Sequence, residues 1–152
     1  MVQVCVAFGA NLGDAQATVL QAIQDVGALA NMQLQKASSL YASAPYEATG
    51  PEFVNAVAIY DTDLTPLELL DALQNLENIA GRERPFPNAP RTLDLDIIFY
   101  DDVALDSPRL SLPHPRWHER AFVLVPLAEI SPEKVSLASL ENVAHQPIRR
   151  VG

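Results

Sequence analysis

An α+β fold is predicted for this chain, with an antiparallel sheet and helices packed on one of its faces. Three observations predict it. Apolar and polar residues alternate with the period of a strand in segments near 2–8, 33–41, 53–61 and 92–100. Apolar residues recur at helical spacing in segments beginning near Ala15 and Pro66. Turn-forming residues separate these segments, with no internal repeat and no long linker, so residues 1–152 are expected to form a single domain.

The elements follow in order. Residues 2–8 are a short, mostly apolar strand. Gly9-Ala10-Asn11-Leu12-Gly13-Asp14 is a turn ending in a helix N-cap at Asp14. From Ala15 to about Leu29, Val19, Ala22, Ile23 and Val26 mark the buried stripe of a helix. Residues 33–41 are a second strand, and 42–52 a loop containing Pro45, Gly50 and Pro51. In the third strand, Phe53–Asp61, Val54, Ala56, Ala58 and Tyr60 share one face, while Phe53, Asn55, Val57 and Ile59 share the other. Thr65-Pro66-Leu67-Glu68 has the form of a capping box, and its helix runs to about Ala80, before Gly81. After a proline-rich loop at 82–90, a fourth strand covers about 92–100. Extended pieces near 103–105 and 110–112, a turn at Pro113-His114-Pro115 and a helix at about 119–130 complete the patterned chain. The last twenty residues are weakly patterned, and no function is read from them. The order β-α-β-β-α-β is that of a ferredoxin-like unit. Its helices cover one face, and the additional C-terminal elements could cover part of the other.

Composition excludes several function classes. With 49% hydrophobic and 19% charged residues, the chain is globular rather than disordered. The net charge of −9 argues against nucleic acid or an anionic membrane as partner. No apolar run is long enough to span a bilayer, and the N-terminus lacks the basic region of a secretory signal. The single cysteine, Cys5, sits in an apolar strand and reads as a reduced core residue of a cytoplasmic protein.

Charge is unevenly spread. Six of the eight arginines fall between 82 and 120, at Arg82, Arg84, Arg91, Arg109, Arg116 and Arg120. Within that stretch, Arg91-Thr92-Leu93-Asp94-Leu95-Asp96 places Asp94 and Asp96 on one side of a strand, ~7 Å apart along the backbone. Leu93, Leu95, Ile97 and Phe99 are expected on the opposite face. Two carboxylates on a rigid strand suit Mg²⁺, which completes its coordination with water and substrate phosphates. Arginine is the side chain for phosphate, because its planar fork binds in pairs and stays charged. The alternation also fits an ordinary amphipathic strand with a solvated acidic face, and surface ion pairs would also occupy the arginines.

Together these segments resemble the 6-hydroxymethyl-7,8-dihydropterin pyrophosphokinase family of folate biosynthesis. The resemblance runs from Val4 to about Ile130. It rests on Gly9-Ala10-Asn11-Leu12-Gly13, Phe53-Val54-Asn55-Ala56, Gly81-Arg82-Glu83-Arg84, Pro90-Arg91-Thr92-Leu93-Asp94-Leu95-Asp96, and Leu112-Pro113-His114-Pro115 with Arg120-Ala121-Phe122 and Pro126-Leu127. It implies transfer of pyrophosphate from ATP to 6-hydroxymethyl-7,8-dihydropterin, giving the pterin diphosphate and AMP. It also implies that Asp94 and Asp96 hold two Mg²⁺ ions bound with ATP. Arg82 and Arg91 are implied catalytic residues with the two aspartates. Arg82, Arg84, Arg91, His114 and Arg120 match positions that contact the ATP phosphates. For the adenosine end, the resemblance points to Leu70, Gln74, Glu77, Ile97, Arg109, Leu110 and Ser111. For the pterin, it points to Phe53 and Phe122 stacking on the ring, with Asn55, Ser43 and groups near Ala44 and Tyr46 along its edge. Small-molecule substrates are the expected partners, with no nucleic acid or membrane, and the chain is expected to act as a monomer.

The chain departs from the family pattern in places. Its only tryptophan, Trp117, lies outside the 85–90 loop, where many members carry one, and Phe86 is the aromatic residue there. Ala44 replaces the first proline of a common pair, and Pro115 stands where an aromatic often follows the histidine. Loops 43–52 and 82–90 are expected to close over the substrates and exclude water, with ATP binding first. Two other readings are a non-catalytic ferredoxin-like nucleotide- or ligand-binding domain and a metal-dependent nucleotide hydrolase. The first leaves the arginines, the aspartates and His114 without a common purpose. The second leaves Phe53, Asn55 and Phe122 without one.

Overall fold

The structure, a computed structural model, describes residues 1–11, 13–44, 52–80 and 93–151. Its strands and helices are β1 Val2–Ala10, α1 Ala15–Gly27, β2 Met32–Ala37, β3 Tyr41–Ser43, β4 Phe53–Thr62, α2 Pro66–Ala80, β5 Asp94–Tyr100, β6 Leu105–Asp106, β7 Ser111–Leu112, α3 Ala121–Ile130, α4 Leu137–Asn142 and β8 Ile148–Arg150. The main sheet runs β5-β1-β4-β3-β8, with β2 also paired to β4. The β1–β4, β1–β5, β2–β4 and β3–β4 ladders are all antiparallel. With β2 and β3 counted as one strand position, this is the expected ferredoxin-like order.

The helix starts follow the sequence signals. The Asp14 side chain accepts a hydrogen bond from Ala17 N at 3.1 Å, so it caps α1. Thr65 N donates to Glu68 Oε1 at 2.9 Å and Glu68 N to Thr65 Oγ1 at 3.2 Å, closing the capping box ahead of α2. Helices α1 and α2 bury Val19, Ile23, Val26, Leu69 and Leu73 against Val4, Val6, Phe8, Ala56, Ala58 and Tyr60. Each such large apolar side chain contributes roughly 2 kcal/mol when fully buried.

The sheet's other face carries Cys5, Ala7, Val57, Ile59 and Ile98, covered by Val123 and Leu127 of α3. On its far side α3 buries Leu124 against Val143 and the half-buried Leu140. A helix enclosed on both sides must be apolar nearly all round, as Ala-Phe-Val-Leu-Val-Pro-Leu-Ala is. The extra C-terminal elements therefore cover part of the second face, as expected. Burial raises the Cys5 thiol's pKa, outweighing the nearby Lys134, so it is a protonated core residue.

Three local expectations are corrected. The strand at 33–41 is two strands, and β3 pairs with the start of β4 while β2 pairs with its end. Phe99 lies with Cys5 and Ile98 on the α3 face, not with Leu95 and Ile97. The register opposite β1 slips between Val6↔Ile97 and Cys5↔Phe99, so Ile98 is an inserted bulge residue that reverses the alternation after it. Finally, the weakly patterned C-terminus forms α4 and β8, and β8 pairs with β3.

Helix α3 is tethered at its C-terminal end by Glu129, which accepts from Tyr41 Oη at 2.6 Å and from Ser39 N at 3.0 Å. Burial alone would raise the Glu129 carboxyl, but hydrogen bonds from Tyr41 and Ser39 outweigh it and hold the group below the ordinary carboxylate range. Burial and the Glu129 bond push Tyr41 up to about 12. A carboxylate with a lowered folded pKa favours folding above its ordinary value of 4.5, and that contribution is lost as pH falls through the folded value. Glu129→Gln should therefore cost stability at neutral pH, about 1 kcal/mol because water reaches the site, and cost less in acid. Denaturant melts of both proteins across that pH range test this, and a pH-independent difference would refute it.

Candidate active site

The open face of the sheet forms the site's floor. Gly9 of β1 is opposite Asp94 of β5 on one side and Asn55 of β4 on the other. Strands lie about 4.8 Å apart, so the Asp94 and Asn55 backbones stand roughly 10 Å from each other across Gly9. One step along, Ala7 separates Asp96 from Val57. Gly9 and Ala7 keep that floor low. A methyl at Gly9 would come within 3.5 Å of Asn55 Oδ1 and occupy the space between Asn55 and Asp94.

At the Asp94 end, an open cavity of about 420 Å³ is lined by Leu70, Gln74 and Glu77 of α2, by Asp94–Ile97 of β5, by Ser107–Ser111, and by His114 and Pro115. Every described residue expected at the adenosine end lines it, as do both aspartates and His114. Leu95 and Ile97 are buried, while Asp94 and Asp96 are exposed to the cavity side of the strand. Among the described residues, no group of three or more His, Cys, Asp or Glu side chains could hold a metal. Two carboxylates on one strand fit Mg²⁺, which takes one or two protein carboxylates and leaves room for phosphate oxygens.

The second wall is fixed to the first. β5 is an edge strand in this sheet, and Leu95 N, between the two aspartates, donates outward to Glu77 Oε2 at 2.9 Å. Glu77 thus holds α2 to the strand that carries Asp94 and Asp96, as well as lining the cavity. Across the mouth, Arg109 Nη2 donates to Asp71 Oδ1 at 2.5 Å and to Gln74 Oε1 at 3.3 Å, joining the 107–111 turn to α2. Asp71 was not an expected site residue. Lying one position from Leu70 on an exposed helix face, it carries no distinguishing signal in sequence. The same is true of Ser107 and Pro108, which are brought in by the β6–β7 turn.

His114 N donates to the carbonyl of the bulge residue Ile98 at 2.8 Å, which ties the Pro-His-Pro turn to β5. Its Nδ1 accepts from Arg116 N at 3.1 Å, so the neutral ring carries its proton on Nε2, available to an incoming anion. Burial lowers the His114 pKa, with Asp96 opposing and Arg120 and Arg116 reinforcing the shift. Arg120 is close enough to His114 to act on it electrostatically, and it stands over the Phe122 ring, 5.4 Å from its centroid.

At the other end, Asn55 and Ser43 are buried, and Asn55 Nδ2 donates to Ser43 Oγ at 2.7 Å. That bond fixes the amide, so its Oδ1 faces the Gly9 side of the floor. Phe53 heads β4 opposite Ser43, and Phe122 packs on the α3-side cluster, both half-buried. Ala44 is exposed at the end of β3. Arg82, Arg84, Arg91, Tyr46 and Phe86 lie outside the described residues, as does most of both loops expected to close.

Comparison with known proteins places the chain in a family. Residues 5–132 match the family model for 7,8-dihydro-6-hydroxymethylpterin-pyrophosphokinase. A 2-amino-4-hydroxy-6-hydroxymethyldihydropteridine pyrophosphokinase of Pseudomonas aeruginosa is 46% identical over 132 residues, covering 86% of this chain and 82% of that protein. A folic acid synthesis protein of Dictyostelium discoideum is 38% identical over 130 residues, covering 85% of this chain and 20% of that protein. Among solved structures, an HPPK-DHPS in complex with substrates superposes with a TM-score of 0.68 at 13% identity, over 87% of this chain and 40% of that one, which shows the shared fold. The chain belongs to the 7,8-dihydro-6-hydroxymethylpterin-pyrophosphokinase family.

Proposed function

We propose that this pyrophosphokinase, acting as one domain in the cytoplasm, takes ATP at the Asp94 end of the floor and 6-hydroxymethyl-7,8-dihydropterin at the Asn55 end. It transfers pyrophosphate between them for folate synthesis. The observation that supports the reading is the row Asn55–Gly9–Asp94, which puts a side-chain amide and a carboxylate on either side of one glycine in a single sheet.

The pterin's hydroxymethyl oxygen forms a bond to the β-phosphorus of ATP. The bond from that phosphorus to the α-phosphate's bridging oxygen breaks, AMP leaves, and the alcohol's proton goes to solvent. Asp94 and Asp96 would hold Mg²⁺, which when bound neutralises charge on the phosphates. Leu70, Ile97 and Leu110 give the adenosine apolar contact, and Gln74, Arg109 and Ser111 give it polar contact. Neutral His114 offers its Nε2–H to phosphate without bringing a second positive charge, and Arg120 beside it supplies one. Arg82, Arg84 and Arg91 are proposed to complete the phosphate contacts. Asn55 Oδ1 accepts from a donor on the pterin edge, with Phe53 and Phe122 against the ring. Positioning and charge stabilisation suffice for such a transfer, so no side chain is assigned as general base.

Incubation with ATP, Mg²⁺ and the reduced pterin alcohol tests this. AMP should form only when all three are present. Phosphate release without pterin would favour a nucleotide hydrolase, and absence of turnover a binding domain.

A further inference from the structure

The C-terminal strand has no part in the site described above, yet it is built onto its pterin end. β8 pairs with β3 in the register Ser43↔Ile148, Ala42↔Arg149 and Tyr41↔Arg150, and Val151 N continues the attachment by donating to Leu40 O at 2.8 Å. From this strand the Arg149 guanidinium makes a two-point bond to Glu52, with Nη1 at 2.6 Å from Oε2 and Nη2 at 2.8 Å from Oε1. Glu52 immediately precedes Phe53, and Phe53 is opposite Ser43. One short strand therefore restrains both Ser43, through the ladder, and the residue leading into Phe53, through the ion pair.

The pair works from behind. Ala42 is opposite Val54 in β4 and Arg149 in β8, and Val54 belongs to the α1–α2 face of the sheet. Ser43, Phe53 and Asn55 project from the other face. Arg149 and Glu52 thus lie on the face of the sheet away from Ser43, Phe53 and Asn55. The Glu52 carboxyl is held below its usual range by the Arg149 hydrogen bond, with burial weakly opposing, so the pair is fully ionised at neutral pH. Parallel two-point geometry is the form in which an exposed ion pair holds a fixed direction rather than a loose contact.

We propose that Arg149 and Glu52 are positioning residues for the pterin: their pairing clasps the ends of β3 and β4 so that Ser43 and Phe53 stay in register beneath the ring. This rests on the pterin lying at the Asn55 end. The nucleotide cavity is on the far side of β1, built from α2, β5 and the 107–115 segment, and contains neither residue. The effect should therefore be selective for one substrate. An exposed pair supports about a three- to fivefold change, not a loss of function.

Steady-state kinetics on Arg149→Ala, Glu52→Gln, the double variant and the exchanged pair Arg149→Glu with Glu52→Arg test the clasp. Each single variant should raise the pterin KM about three- to fivefold, with the ATP KM and kcat unchanged. The double variant should be no worse than either single one, and the exchanged pair should recover part of the loss. Unchanged pterin KM in both single variants would overturn the proposal. So would a parallel change in both KM values and kcat, the mark of general destabilisation. Asn55→Ala measured alongside separates the two layers. If it leaves the pterin KM at the wild-type level, the pterin placement itself is wrong. If it raises that KM while Arg149→Ala does not, only the clasp fails.

Discussion

Asp96→Ala and Asp94→Ala should each reduce pyrophosphoryl transfer below detection while leaving the melting temperature within a few degrees of wild type. Both side chains are exposed at the cavity floor, and the buried work of the strand is done by Leu93, Leu95, Ile97 and Ile98. Removing an exposed carboxylate outside the core changes stability by about 1 kcal/mol or less, whatever surface pairing it has. Its effect on the reaction is of another order. The phosphates of ATP carry several negative charges, and without one carboxylate the remaining one must hold the metals alone beside that polyanion. A loss of at least a thousandfold corresponds to about 4 kcal/mol of lost transition-state stabilisation. Activity measured at saturating ATP and Mg²⁺, with circular dichroism on the same samples, checks both halves. Retained turnover in either variant would remove the metal assignment, and a collapsed fold would make the aspartates structural.

Asn55→Ala should raise the pterin KM by about 10- to 100-fold, the cost of leaving edge groups of a bound heterocycle without partners. ATP binding should be unaffected, because the cavity proposed for the nucleotide lies beyond β1. The same substitution leaves the buried Ser43 hydroxyl without the amide donor it now accepts from at 2.7 Å. A stability loss of about 1 kcal/mol should accompany the kinetic effect. Ser43→Ala should give the same sign with a smaller size, since it frees the Asn55 amide to rotate without removing it. Isothermal titration with the pterin in the presence of a non-hydrolysable ATP analogue reads the affinity directly, and equal affinities for wild type and Asn55→Ala would refute the edge contact.

Much of this site could be read from sequence because it is written in strand alternation and fixed spacing. Asp94 and Asp96 share a face by period alone, Thr65 and Glu68 announce α2, and the apolar stripe of α1 fixes which side of the sheet it covers. What could not be read depends on contacts between distant segments. The bulge at Ile98 moves Phe99 to the opposite face, and no local feature of Asp-Ile-Ile-Phe-Tyr marks it. The same bulge presents the carbonyl that seats His114. Asp71 becomes part of the cavity rim only because Arg109 reaches it from a turn far along the chain. β8 is three residues long, too short for periodicity to reveal, and its place is set by the open edge of β3. The roles proposed for Arg109 and Asn55 rest on resemblance rather than on pattern. An arginine in a turn and an asparagine in a strand have many uses, and the ladder is what aims them.

A crystal structure with Mg²⁺ and a non-hydrolysable ATP analogue tests the central claim most directly. The account predicts metal ions in contact with the Asp94 and Asp96 carboxylates, the triphosphate directed along the floor toward Gly9, and the adenosine between Leu70 and Leu110. Carboxylates free of metal and turned away from the triphosphate would contradict it.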